Sequence, residues 1–213
     1  MVWNDASTDN TNKVLLDIGQ KNRDNSTPLK VVVYNSLSNV GAAEARWHLL
    51  REVKRGIVVQ LDLDDYLPDD RVLERILPYY QAGALATSGY YREGEKPVGH
   101  IRHYNDAEIA AQSYLKPSVP FCFPPLRTFH SSLLANIKED AFKWDKKWLR
   151  YCTDAALGYA LLAQIKNPSQ FVRLSEVNYH YRKRDGRLPR TDARAKRRML
   201  ENIKGNFRVN IHI

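Results

Sequence analysis

Three aspartates, Asp62, Asp64 and Asp65, directly follow an apolar run at residues 57–59. Like charges this close repel one another, so the cluster is unfavourable unless a cation or hydrogen-bond donors compensate it. The apolar run predicts a buried strand, and open α/β sheets bind their ligands where such strands end. Carboxylate oxygens are ligands that suit Mg²⁺ and Mn²⁺. The cluster therefore predicts a divalent metal site at the edge of a sheet.

A second polar loop follows the short strand that is expected at residues 2–3. Residues 4–11 carry short acceptors and hydroxyl groups, Asp5 among them. These side chains could hydrogen-bond the base and ribose of a nucleotide. They could equally cap the helix that follows, through Asp9 or Thr11.

Strands and helices alternate along the first ninety residues. Runs of β-branched residues predict strands, and apolar residues at helical spacing predict helices. This alternation predicts an α/β fold with a mostly parallel sheet flanked by helices. The predicted order is strand 2–3, helix 12–20, strand 30–34, helix 41–53, strand 57–63, helix 69–81 and strand 85–91.

The second half of the chain is less regular. Four prolines and two phenylalanines within residues 117–127 predict a rigid loop. Alternating apolar residues at the end of the chain predict a final strand. After the loop, the predicted elements are helix 153–166, strand 171–181, basic helix 191–204 and strand 207–213.

Bulk composition places the chain among ordinary soluble proteins. Its 213 residues, 43% hydrophobic and 27% charged, suffice for one sizeable core. We find neither a signal peptide at the start nor an apolar run long enough to span a bilayer. Cys122 and Cys152 lack metal-ligand spacing, and we expect them to be reduced thiols in a cytoplasmic protein.

The net charge of +9 is concentrated in residues 182–198, which hold nine basic and two acidic residues. A local basic segment of this kind can meet phosphate, acidic glycan, nucleic acid or an anionic membrane. It can also be a solvated helix face with a flexible linker.

Five segments, in order, resemble the motifs of family 2 glycosyltransferases, which have the GT-A fold. Residues 2–11 resemble the family's Asp-Asp-Gly-Ser-x-Asp-x-Thr loop, and residues 39–46 its Asn-x-Gly-x-x-x-Ala-Arg segment. Residues 61–65 are similar to its Leu-Asp-x-Asp-Asp metal motif. Residues 142–157 resemble the region of its Glu-Asp pair, and residues 177–182 its Tyr-Tyr-Arg closing strand.

The resemblance implies an inverting transferase that moves a hexose-type sugar from a UDP-sugar to a hydroxyl of a glycan or glycoprotein. It also implies Mn²⁺ or Mg²⁺ at the leaving diphosphate, since growing negative charge there needs a cation. Carried over by position, the implied roles are Asp5 for the uracil ring, Arg46 for base or phosphate, Asp62 for the ribose, Asp64 and Asp65 for the metal, and Asp154 as catalytic base. A carboxylate near the start of a helix is held ionised, which suits a base, although Asp154 could merely cap that helix.

The chain departs from the family pattern at its start. The family's first strand and helix are missing, and the predicted strand at 207–213 could take the vacant place. Asn4 and Ala6 stand where the family usually has Asp and Gly. We expect a GT-A domain at residues 1–190, with a nucleotide-binding part at about 1–90 and an acceptor part at about 91–185. Residues 191–213 would form a basic helix and terminal strand, or a linker to a further domain of a longer chain.

Two other functions stay open at this point. A sugar-phosphate nucleotidyltransferase also uses paired carboxylates and Mg²⁺, but it usually has a Gly-rich basic loop that we do not find. A nucleic-acid-binding module could use residues 182–198, yet acidic residues at a binding face repel phosphate, so no nucleic acid is expected. His130 is a rival to Asp154 as the base.

Overall fold

The computed structural model describes residues 1–23, 30–94, 96–97, 102–182 and 193–209. It contains nine strands and six α-helices within these ranges. The strands are β1 (Val2–Asn4), β2 (Val33–Asn35), β3 (Ile57–Gln60), β4 (Ala86–Glu93), β5 (Lys96–Pro97), β6 (Arg127–His130), β7 (Lys143–Trp144), β8 (Lys147–Trp148) and β9 (Phe171–Tyr181). The helices are α1 (Thr11–Arg23), α2 (Ala42–Glu52), α3 (Val72–Gln81), α4 (Asp106–Ala110), α5 (Thr153–Leu162) and α6 (Ala193–Val209).

The strands form two sheets of functional interest. β1 and β2 pair in parallel as a small separate sheet. The main sheet runs β3-β6-β4, with β9 parallel to β4 at its other side and β5 attached to the far end of β4. β6 is antiparallel to both β3 and β4. The predicted α/β architecture is confirmed, but insertion of β6 makes the main sheet mixed where a mostly parallel one was predicted.

The end of the chain differs from its prediction. α6 continues to Val209, so the predicted strand is wrong at residues 207–209; residues 210–213 lie outside the described residues. Met199 and Ile203 are buried in the core, and Phe207 lies 6.4 Å from the ring of Tyr159. These three positions recur every four residues and therefore share one helix face. The apolar residues at 207 and 209 also alternate with polar ones, and this alternation led to the prediction of a strand. The described part of this segment therefore does not supply the missing strand.

α5 occupies the centre of the core. Nine of its ten residues are buried, Asp154 being the exception. Gly158 allows the close approach of the proline-rich loop, since a Cβ there would lie 2.7 Å from the ring of Phe121. The loop itself contains no strand until β6 begins at Arg127, as predicted. This packing fixes where the amino end of α5, and with it Asp154, meets the sheet.

Among the described residues, no helix combines the length and apolar character that crossing a membrane requires.

Candidate functional site

Four chain segments meet where β3 ends. β3 stops at Gln60, three residues earlier than predicted, and the acidic loop begins there. Gln60 pairs with Arg127, so the first residue of β6 lies beside the start of this loop. The loop also meets the end of β9, because Tyr66 and His180 bridge the two segments. The amino end of α5 completes the arrangement through an ion pair between Arg127 and Asp154.

Asp65 anchors the acidic loop to the end of β9. Its side chain is buried, and one carboxylate oxygen accepts a hydrogen bond from the Tyr179 hydroxyl. The other oxygen accepts one from the backbone N–H of Arg182 at 2.8 Å. Burial raises the pKa of Tyr179, and the nearby Asp65 raises it further, so the phenol stays a proton donor. Both Asp65 oxygens are thus engaged by protein donors, and the residue serves as a structural anchor for the loop.

Arg127 and Asp154 form the central ion pair of the site. The guanidinium is buried, donates from Nε to the carbonyl oxygen of Phe123 at 2.7 Å, and lies 3.4 Å from the Asp154 carboxylate through Nη2. Burial alone would raise the pKa of Asp154, but Arg127 and then Arg46 outweigh it, and the pKa falls below its ordinary value. Asp154 is therefore ionised at neutral pH while about half of its side chain, 49%, stays exposed.

Arg46 reaches the same place from α2. Its Nη1 donates to the Thr153 hydroxyl at 2.5 Å, and Thr153 is the first residue of α5. Partial removal from water raises the pKa of Asp62, Arg46 counteracts this, and the charges of Asp154 and Asp65 raise it again. The structure thus brings four of the six predicted site residues, Arg46, Asp62, Asp65 and Asp154, into one electrostatic cluster.

Asp5 lies at the end of β1 and holds the loop that starts α2. Its two carboxylate oxygens accept hydrogen bonds from the backbone N–H groups of Val40 and Gly41, each at 2.8 Å. A carboxylate at this position also suits the positive end of the α2 dipole. Asp5, Arg46 and Asp62 line one common cavity. Asp5 therefore fixes the loop before α2, and its contact with a uracil ring stays a prediction. The capping alternative is met by Asp9, which accepts a hydrogen bond from the Thr11 backbone N–H at 2.9 Å at the start of α1.

The backbone conformation of Ala6 explains why glycine suits this position. Its φ of 56° is in the left-handed region, which is unfavourable for any residue with a Cβ by about 1–2 kcal/mol. Glycine would adopt this φ without that strain but would lose more chain entropy on folding, about 0.4–1 kcal/mol. The left-handed turn lets the chain turn back after Asp5, next to the α2 loop.

Ala6→Gly is therefore expected to raise the free energy of unfolding by about 0.5–1 kcal/mol, measured by urea denaturation. The matched control is Ala82→Gly, since Ala82 is exposed, follows α3 and has an ordinary φ of −84°. That variant should be destabilised. Destabilisation of both variants by the same amount would contradict the strain at Ala6.

Asp64 is half-buried in the same loop, between Asp62 and Asp65. In the described part of the chain, no group of three or more His, Cys, Asp or Glu side chains is arranged to hold a metal ion by itself. Magnesium-type sites usually need only one or two carboxylates, with phosphates and water completing the shell. The all-oxygen donors of the two predicted metal ligands, Asp64 and Asp65, suit such a partial site, and metal binding there stays a prediction. Asp65 also accepts hydrogen bonds from Tyr179 and Arg182, as ligating carboxylates commonly do.

The sequence analysis did not identify three residues of the site. These are Arg127, Thr153, which accepts a hydrogen bond from Arg46, and Tyr179. The sequence carried no signal for Arg127 beyond its place at the end of the proline-rich loop, because its neighbours at the site come from pairing of β6 with β3. His130, the rival base, lies at the opposite end of β6. Its Nδ1 contacts the Ser132 hydroxyl at 2.8 Å and caps a short helical turn there, so the structure removes it from the site.

Known structures share this fold. TarS of S. aureus in complex with UDP-GlcNAc aligns with a TM-score of 0.62 at 19% identity, covering 87% of this chain and 50% of TarS. TarS with UDP aligns with a TM-score of 0.65 at 14% identity, covering 98% and 56%. Glucosyl-3-phosphoglycerate synthase from Mycobacterium tuberculosis with Mn²⁺ and UDP-glucose gives 0.54 at 16% identity, covering 97% and 67%. The chain thus spans about half the length of TarS, and the likeness establishes the GT-A fold.

The sequence itself gives the family. No curated protein matches the chain significantly. The family model of glycosyl transferase family 2 matches residues 1–138, which is well over half of the chain and includes the Asp5 loop, Arg46, the acidic loop and Arg127. The chain belongs to glycosyl transferase family 2.

Proposed function

We propose that this chain carries the donor-binding and catalytic site of an inverting glycosyltransferase. It would move a hexose-type sugar from a UDP-sugar to a hydroxyl group of a glycan or glycoprotein. The observation that carries the proposal is the Asp154 carboxylate, held ionised by Arg127 at the amino end of α5 and close to the acidic loop. Family membership supports the transfer reaction, and the UDP-sugar complexes of two structural neighbours support the donor class.

The proposed reaction is a single displacement. The acceptor hydroxyl oxygen attacks the anomeric carbon, a new carbon–oxygen bond forms, and the bond to the diphosphate oxygen breaks. The hydroxyl proton passes to the Asp154 carboxylate, and UDP leaves with the bonding electrons. One attack from the face opposite the leaving group inverts the anomeric configuration. General-base catalysis of this kind contributes about 10²–10⁴-fold to the rate.

A divalent cation, Mn²⁺ or Mg²⁺, would neutralise charge on the departing diphosphate. Mn²⁺ is present in the complex of the structurally similar glucosyl-3-phosphoglycerate synthase. We assign Asp64 and Asp65 to the cation and Asp62 to the ribose. Asp65 would also anchor the loop through its hydrogen bonds with Tyr179 and Arg182. Asp5 and Arg46, which line the same cavity as Asp62, are assigned to the uracil ring and to the base or phosphates.

Asp64→Asn and Asp65→Asn should therefore fail in different ways. Asp64→Asn is expected to reduce activity by more than about 10–100-fold, because removal of even an outer partner of a metal site typically costs that much. Asp65→Asn should lower the free energy of unfolding by about 1–3 kcal/mol, because an amide cannot accept from both buried donors. Urea denaturation and released UDP measure the two effects. A free energy of unfolding that stays at the wild-type value in Asp65→Asn would contradict the anchor role of Asp65.

The activity itself is tested with a panel of UDP-sugars, with and without Mn²⁺, scored by released UDP. We expect release with at least one donor, dependent on the cation and abolished by a chelator. Full activity in chelator would remove the metal assignment. Formation of pyrophosphate from a nucleoside triphosphate and a sugar phosphate would instead support the nucleotidyltransferase alternative, which family membership disfavours.

A further inference from the structure

Two cations contact the ring of Tyr151, in the loop that leads into α5. The guanidinium carbon of Arg150 lies 6.0 Å from the ring centroid, and the Nζ of Lys196 lies 5.6 Å from it. Both distances suit a cation–π contact, so one aromatic ring keeps the two charges near each other. Both cations are exposed, and neither forms an ion pair with a carboxylate in the described part of the chain. Their mutual repulsion is therefore not compensated by these residues.

The same two cations lie close to the proposed base. Cys152, two residues before Asp154, donates a hydrogen bond from its thiol to the carbonyl oxygen of Lys196 at 3.6 Å. Burial raises the pKa of this thiol, the charge of Asp154 raises it further, and the charge of Lys196 opposes both. Asp154 and Lys196 are thus both within electrostatic reach of one sulfur atom.

Packing fixes the helix that carries Lys196. Met199 and Ile203 of α6 are buried in the core. Lys204, also buried, donates from Nζ to the carbonyl oxygen of Lys116 at 3.0 Å. A charge presented from a fixed backbone loses little conformational freedom when it binds a ligand. The start of α6 can therefore serve as one wall of a binding site.

The cations do not belong to the cavity assigned to the UDP-sugar. Asp5 and Asp62 line that cavity, and among the described residues that line it neither Arg150 nor Lys196 occurs. Asp154 acts electrostatically on Asp62 and on the thiol next to Lys196, so the carboxylate lies between the donor cavity and the cations. A single displacement needs the acceptor opposite the leaving diphosphate, with its hydroxyl at Asp154.

We propose that Arg150 and Lys196 bind an anionic group, a phosphate or a carboxylate, on the sugar acceptor. This inference rests on the proposed sugar transfer and names the class of its acceptor. The acidic loop and Asp154 make the reaction centre negative, which repels an anionic acceptor unless nearby cations compensate. A guanidinium offers paired N–H donors that match phosphate and carboxylate oxygens, and an ammonium adds a compact positive charge.

The probe is glycerol 3-phosphate, with glycerate as the carboxylate arm and glycerol as the neutral one. Each is titrated calorimetrically into the full chain at saturating UDP and Mg²⁺, so that the donor site is already filled. Both anions should bind more tightly than glycerol, and the tighter of the two identifies phosphate or carboxylate as the preferred group. Arg150→Gln and Lys196→Gln should each weaken anion binding by about 10–100-fold, as for loss of a hydrogen bond to a charged group.

Lys166→Gln is the matched control, because Lys166 is an exposed lysine beyond the other end of α5. It should bind the anions as the wild type does. Equal binding of glycerol and the anions, or wild-type affinity in both Arg150→Gln and Lys196→Gln, overturns the inference. An equal loss of UDP affinity in these two variants would assign the cations to the donor diphosphate and also overturn it.

Sugar transfer is measured separately, as UDP released from UDP-sugars. Anion binding that depends on Arg150 and Lys196, without UDP release from any donor, would contradict the proposed function and support the anion site. UDP release that depends neither on these two residues nor on the charge of the acceptor would support the proposed function and overturn this inference.

Discussion

Asp154→Asn is expected to lower turnover by about 10²–10⁴-fold while UDP still binds. Asparagine has nearly the same shape, can still accept a hydrogen bond from Arg127, and stays at the amino end of α5, but it cannot take a proton. The nucleotide contacts assigned to Asp5, Arg46 and Asp62 are on other elements and are not altered. Loss of turnover with retained affinity is therefore the signature of a base.

Released UDP under saturating donor and acceptor measures the turnover, and calorimetric titration with UDP and Mn²⁺ measures the affinity. The control is Asp69→Asn, which removes an exposed carboxylate paired with Arg75 away from the site. This control should keep its activity. Normal turnover in Asp154→Asn would exclude the residue as base, and an equal loss of UDP affinity would assign it to donor binding instead.

Local patterns predicted the elements that carry the site. The β-branched run before the acidic residues predicted β3, and the spacing of apolar residues predicted α2, α3 and α5 close to their observed bounds. Each of these depends on side chains within a few residues of one another. The acidic loop at the end of β3 and the polar loop after β1 were found for the same reason.

The features that local patterns did not predict depend on contacts between distant parts of the chain. Asp65 is engaged by Tyr179, which is 114 residues further along the chain, and no local pattern shows that contact. The antiparallel placement of β6 between β3 and β4 brings Arg127 to the site, yet in sequence Arg127 only follows a proline-rich loop. At residues 207–209, a pattern compatible with both periods became a helix because Phe207 packs towards Tyr159.

Arg127 is the residue whose replacement should most change the behaviour of Asp154. Without it, burial would be opposed only by the smaller effects of Arg46, of the Asp154 backbone N–H and of the Thr153 hydroxyl, so the pKa of Asp154 should rise. Arg127→Gln keeps a donor for the carbonyl oxygen of Phe123 but removes the charge. Since the ionised carboxylate is the proposed base, activity in the variant should be lost at higher pH than in the wild type as the solution is acidified.

The lowered pKa of Asp154 also makes the stability of the folded protein depend on pH. A lowered pKa in the folded state stabilises the protein above the unfolded carboxyl pKa of about 3.9, and this stabilisation is lost as the pH falls through the folded value. Arg127→Gln should remove it at neutral pH, by about 1–3 kcal/mol, less than for a fully buried pair because Asp154 is 49% exposed. Urea denaturation at several pH values measures this difference.

The pH profile of kcat/KM for UDP release, from about pH 3 to about pH 8, distinguishes an action of Arg127 through Asp154 from a direct contact with the donor. Arg127→Gln should shift the acidic limb to higher pH, and Arg127→Lys, which keeps the positive charge near Asp154, should restore most of the wild-type limb. A merely structural role would lower activity at every pH without moving that limb. An unmoved limb, together with a raised KM for the donor, would mean that Arg127 contacts the UDP-sugar and does not act through Asp154.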